Sequence, residues 1–175
     1  KKNLKEIGEI DYKKTPLLFT EHHIGHAASA FYPSEFQDAA ILVVDGVGEW
    51  ATITISKGEG KKIEILKEIH FPHSIGMLYS AFTYFLGFKV NSGEYKLMGL
   101  SPYGNKNSEE VQKFKQLIYQ HLILSKGLEG FQLNLEYFTF QYELKMIRDE
   151  QWQKIFGCKR RSDDEPITQV HCDLA

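Results

Sequence analysis

The sequence predicts an α/β chain built on an antiparallel three-stranded meander flanked by helices, and three observations carry that reading. Between Ala39 and Phe71, three β-rich runs are separated by short glycine-bearing turns, the pattern of consecutive hairpins. On the C-terminal side, Ile75, Leu78, Phe82, Phe85 and Leu86 recur at helical spacing. On the N-terminal side, Gly25, Ala27, Ala28 and Ala30 follow a histidine-rich start, a composition suited to a helix packed closely on a neighbour.

Taken in order, TPLLFT from Thr15 to Thr20 predicts a short buried strand leading into the histidine-rich helix, which ends near Pro33. Ala39 to Val44 is a continuous apolar strand, and Asp45-Gly46-Val47-Gly48 reads as the first turn. Trp50 to Ser56 alternates threonine and isoleucine as a second strand; Lys57 to Lys61 turns again, and Lys62 to Phe71 forms a third strand closed by Pro72. Ser74 stands where a cap for the next helix belongs. NSGEYKLMGLSPYGN admits at most a short helix, punctuated as it is by glycine. From Ser108, another cap, SEEVQKFKQLIYQHLIL predicts one amphipathic helix with Val111, Phe114, Ile118 and Leu122 on a single stripe. FQLNLEYFTF then predicts a strand or extended piece, IRDEQWQKIFG a helix, CKRRSDDEP a charged loop, and ITQVHCDLA the opening of a helix with Thr168 as its cap.

The chain has 175 residues, 42% hydrophobic and 25% charged, with a net charge of -2. That is an ordinary globular balance, and without a basic footprint it offers no case for a nucleic-acid partner. Cys158 and Cys172 are too few for a disulfide framework, which points to a reducing, cytoplasmic setting. No apolar run is long enough to cross a bilayer, and KKNLKEIGEI lacks the apolar centre of a signal peptide, so no membrane partner is expected. The chain opens on Lys1 and closes inside what reads as a starting helix, the expectation for an excised segment.

EHHIGHAASAFY carries the strongest chemical signal. His22 and His26 are four apart and share one helical face, close enough to bind one cation, while His23 points elsewhere. Two imidazoles suit zinc or iron but make an incomplete ligand set. A metalloprotease would need glutamate beside the first histidine, and His23 stands there instead. A histidine cluster satisfied by hydrogen bonds remains the competing reading. Asp45, Gly46, Val47, Gly48 and Glu49 form a stretch whose backbone N–H groups suit phosphate oxygens, although most such stretches only turn the chain. His73 and Ser74 precede a helix, where an anion could sit or a plain cap suffice. Glu94 and Lys96 lie among glycines, either as a solvated pair or with the lysine held near a phosphate. Cys158, Cys172, His70, His121 and His171 stand in no constellation and read as structural.

Four blocks, EHHIGHAASAFYPSEF, VVDGVGEWATI, PHSIGMLYSAFTYFLGF and NSGEYKLMGLSPYGN, occur in this order and at these separations. Together they resemble the nodulation-protein and antibiotic O-carbamoyltransferase family, strongly over Glu21 to Asn105. The resemblance implies a fragment of an actin-like, ribonuclease H-like duplicated ATPase fold, similar to the tRNA threonylcarbamoyl transferase. Residues 1–38 would end the first lobe with the HxxxH helix, and residues 39–175 would begin the second. It further implies a divalent metal, iron favoured and zinc possible, held by His22, His26 and an aspartate outside this chain, with Asp45 the first candidate within it. ATP and carbamoyl phosphate would give carbamoyl-adenylate in a separate synthase-type domain, and the carbamoyl group would pass to a small-molecule hydroxyl acceptor. The segment alone is expected to be inactive. A kinase-type or non-catalytic actin-like nucleotide-binding domain is the alternative, distinguished by having no use for an imidazole pair.

Overall fold

The computed structural model describes Gly8, residues 14–125 and residues 130–175; apart from Gly8, the opening KKNLKEIGEI lies outside the described residues. Helix α1, His22–Phe31, buries one stripe, His23, Ala27 and Phe31. These residues are four apart, and the small side chains between them let the helix lie directly on a sheet. That sheet is the meander: β1 Asp38–Gly48, β2 Ala51–Glu59 and β3 Lys62–His70, antiparallel in the order β1-β2-β3. Ala27, Phe31, Ile41 and Val43 form its small core with α1. The close approach depends on Gly58, where a Cβ would meet the Phe31 ring at 2.8 Å.

Two hairpin boundaries differ from those read in the sequence. Strand β1 continues to Gly48, and Gly48 pairs with Ala51, so the first turn is at Glu49 and Trp50. Asp45-Gly46-Val47 is a bulge, because the register jumps between the Val44–Ile53 and Gly48–Ala51 pairs. A bulge bends the strand and re-aims its side chains without ending the pairing. At the second hairpin Glu59 pairs with Lys62, leaving a two-residue loop in which Gly60 takes a φ of 58°. TPLLFT is no buried strand: residues 16–20 form no helix or strand and have no ladder partner among the described residues. Leu18 and Phe19 are 83% and 88% exposed. An apolar run becomes a strand only when a neighbour takes up its backbone groups.

After the meander, helix α2, Ile75–Phe85, is capped by Ser74, whose hydroxyl accepts from Met77 N–H at 3.0 Å. Helix α3 spans Glu94–Leu100 and is continued by a 3₁₀ turn at Ser101–Tyr103. Helix α4, Glu109–Leu117, starts at the predicted Ser108 cap but stops early. Ile118–Leu122 widens into a π turn, and Ile123–Ser125 leaves as strand β4, which pairs with β5, Phe131–Leu133. The predicted apolar stripe survives this change, since Phe114 and Leu122 are buried and Ile118 packs against the same core. Helix α5, Asp149–Phe156, ends on Gly157 in the left-handed region, and α6, Gln169–Leu174, starts at Thr168, whose N–H donates to His171 Nδ1. Trp152, Phe82, Phe85, Phe138 and Phe156 centre the larger core that joins α2 to α5.

The stretch read as a charged loop holds one exception. Arg161 is buried, and its guanidinium donates to the carbonyls of Leu86 and Glu165, so it ties the loop to the end of α2. No helix among the described residues is long and apolar enough to cross a membrane.

Candidate metal centre

Helix α1 and strand β1 run in opposite directions, so the end of the strand returns to the start of the helix. This return places Asp45 beside the histidine pair. Asp45 Oδ2 lies 2.7 Å from His22 Nε2 and 3.6 Å from His26 Nε2. The two Nε2 atoms are 2.9 Å apart. Among the described residues these three form the group whose donor atoms all fall within 4.8 Å of one another. Donor atoms about 2 Å from a shared ion stand roughly 3 Å apart, so two imidazoles and a carboxylate fit a transition metal such as iron or zinc. The fit rests on donor chemistry and spacing. The three side chains are half-exposed, which leaves the outer side of the cluster open.

Asp45 is oriented by its own turn. The Gly46 N–H donates to Asp45 Oδ1 at 2.6 Å, leaving Oδ2 to face His22. Burial pushes the Asp45 carboxyl up, but the hydrogen bonds from His22 and Gly46, with the nearby histidine charges, outweigh it and hold the pKa below its ordinary value. The carboxylate is therefore ionised and able to ligate around neutral pH.

His23 faces the sheet. It is buried, its Nδ1 lies 3.1 Å from Thr54 Oγ1, and its Nε2 has no hydrogen-bond partner among the described residues. Burial lowers its pKa, opposed by Asp45 and reinforced by His22 and His26. Gly48 lies against both rings: a Cβ there would come within 2.6 Å of His22 Cδ2 and 2.7 Å of His23 Nε2. Glu49, at the hairpin tip, accepts from the His22 backbone N–H through Oε2 at 3.3 Å.

The remaining candidates lie outside the donor cluster. Ser74 is fully buried and, besides capping α2, donates to the Gly46 carbonyl at 2.6 Å. It thereby ties α2 to the bulge. His73 Nδ1 accepts from Leu133 N–H at 3.1 Å. The Glu94 carboxylate accepts from Ser80 Oγ and from the Asn91 and Gly93 N–H groups, holding the turn before α3. Lys96 is exposed on α3.

Sequence spacing pairs the two histidines; it places Asp45 and Glu49 on a stretch suited to phosphate, with Asp45 also the first candidate within the chain for a further ligand. The antiparallel return of a strand after a short helix was the available signal for Asp45, because it carries the strand's end back to the helix's start. Nothing in the sequence signals the Glu49 contact, which depends on the backbone of the tip.

The chain is 51% identical over its whole length to an uncharacterized protein of Synechocystis, of which it covers 28%. It is 39% identical over 97 residues, 55% of the chain, to the nodulation protein NolNO of Sinorhizobium fredii, covering 14% of that protein. With the nodulation protein NolO of Bradyrhizobium diazoefficiens the identity is 31% over 116 residues, 66% of the chain and 20% of the relative. The chain thus spans less than a third of the length of these relatives. The model of the carbamoyltransferase N-terminus matches residues 1–170, and the chain belongs to the carbamoyltransferase N-terminus family.

Proposed function

We propose that this chain is the metal-bearing part of an ATP-dependent carbamoyltransferase that moves a carbamoyl group from carbamoyl phosphate, by way of carbamoyl-adenylate, to a hydroxyl acceptor. The observation that carries the proposal is the convergence of His22, His26 and Asp45 within 4.8 Å in a member of this family. The two Nε2 atoms and Asp45 Oδ2 would hold the ion, iron by family resemblance or zinc by donor type. Bound there, a divalent cation supplies charge neutralisation for phosphate oxygens at an open face.

The chain's own residues prepare that face. Gly46 fixes the Asp45 rotamer through its N–H, and Ser74 fixes the bulge through the Gly46 carbonyl. Gly46 itself leaves open space, with nothing within 4 Å of where a Cβ would stand. A phosphate approaching the bulge at Gly46 therefore meets backbone rather than side chain, as it does in glycine-rich phosphate loops. Of His73, Ser74, Glu94 and Lys96, Lys96 has the exposed cation and is the candidate for a phosphate contact from outside the cluster.

The test uses the full-length protein. Elemental analysis should find one transition-metal ion per chain, lost in His22→Ala and Asp45→Ala. ATP-dependent transfer from carbamoyl phosphate to an added polyol should fall about 100-fold or more in both variants, the upper range for loss of a metal-centre group. Full metal occupancy in Asp45→Ala would overturn the ligand set. ATP turnover indifferent to carbamoyl phosphate would overturn the reaction in favour of a kinase-type domain.

A further inference from the structure

We propose that Glu49 is a positioning residue of the metal centre: from the tip of the β1–β2 hairpin it holds the first turn of α1 so that His22 faces Asp45. The proposal rests on the metal reading above and assigns Glu49 a task different from phosphate contact.

Helix α1 begins without a cap of its own. Glu21 occupies the N-cap position in extended conformation and makes no side-chain cap bond, so the first N–H groups of the helix have no partner from within it. Glu49, remote in sequence, supplies one: its Oε2 accepts from His22 N–H at 3.3 Å. Its negative charge also lies at the end of the helix that favours an anion.

The backbone of Glu49 supports the assignment. Its φ is 60°, in the left-handed region where a residue with a Cβ is uncommon and glycine would be relaxed. What glycine could not provide is the carboxylate over the helix start. Beside it, Gly48 lies in contact with the His22 and His23 rings, and any Cβ there would strike both. The helix start thus rests on Gly48 and is tied by Glu49.

Rotation is what these two contacts prevent. Each residue of an α-helix turns by about 100°, so a fraction of that turn would swing His22 away from its 2.7 Å contact with Asp45 and carry His26 with it. Asp45 and Glu49 belong to the same hairpin, so one element presents a ligand and also sets the angle at which the other two ligands meet it.

The test is Co²⁺ binding by the metal-free full-length protein, read as affinity by chelator competition and as the visible d–d spectrum. Glu49→Ala should weaken Co²⁺ about tenfold or more, the scale for loss of a group that orients ligands, and should alter the spectrum. Glu49→Gln, which keeps an acceptor oxygen, should restore most of both. Glu49→Gly, which relaxes the backbone but removes the carboxylate, should resemble Glu49→Ala. Gly58→Ala, which crowds Phe31 at the opposite end of α1, should lower stability and leave the spectrum unchanged. Wild-type affinity and spectrum in Glu49→Ala, with binding lost in His22→Ala, would overturn the positioning role and leave the metal centre standing. Unchanged binding in His22→Ala would overturn the metal centre itself.

Discussion

Glu94 shows how a carboxylate in a glycine-rich stretch can be structural. Burial raises its pKa, but the hydrogen bonds from Asn91, its own N–H, Ser80 and Gly93 outweigh this and bring the folded value below the ordinary 4.5. A depressed folded pKa contributes stability that is present above the unfolded value and lost as pH falls through the folded one. Urea denaturation at a series of pH values should therefore show the wild type losing stability on acidification below about 4.5, and Glu94→Gln showing less of that dependence. At neutral pH the substitution should cost about 1.5–3 kcal/mol, the range for hydrogen bonds to a charged group. Legibility at this scale followed distance along the chain. His22 and His26 share a face by helical geometry alone and could be paired on paper. Asp45 was a candidate in the sequence, but its place beside the pair comes from the return of β1 to the start of α1, and the Glu49 contact from a positive φ that no composition announces. Glu94 was visible as a charged residue among glycines, but its partners are backbone groups fixed by the turn.

At the scale of elements, the meander was legible because its turn residues and β-rich runs lie in sequence, while its faces were not. On β2, Thr52, Thr54, Ser56 and Gly58 are buried and Ile55 is exposed, with Thr54 against His23 and Gly58 against Phe31 of α1. Small and polar side chains take the helix-facing side because α1 lies too close for anything bulky, as the Phe31 contact over Gly58 shows. The bulge at Asp45 to Val47 was read as a turn because glycines mark both. The early end of α4 escaped notice because the apolar stripe continues through the π turn without a break in spacing. Ser74 was placed correctly as a cap, but its second bond, to Gly46, joins α2 to the strand that carries Asp45. Ser74→Ala should cost about 1–2 kcal/mol, the range for a lost cap, measured as a lower urea midpoint. The orphaned Gly46 carbonyl places the value at the upper end.

Across the whole molecule, two apolar clusters divide the work: a small one between α1 and the sheet, and a larger one that joins α2, α3, α4, α5 and α6. Trp152 is fully buried in the larger cluster, with rings of Phe82, Phe85, Phe138 and Phe156 around it and its Nε1 donating to the Tyr137 carbonyl. Trp152→Ala should cost about 3–5 kcal/mol, a large share of the roughly 5–15 kcal/mol typical of a domain, and denaturant titration would show it. The smaller cluster carries the candidate donors His22, His26 and Asp45, which lie close together along the chain. In polymer terms the loop that an ion would close is short, and closure entropy grows only with the logarithm of loop length. The α1–β1 unit can therefore assemble its candidate donor set from local contacts, the kind that form fast. An ion available during synthesis would meet that set before the aromatic cluster around Trp152 has all its members, and would hold helix and strand together while the rest of the chain folds.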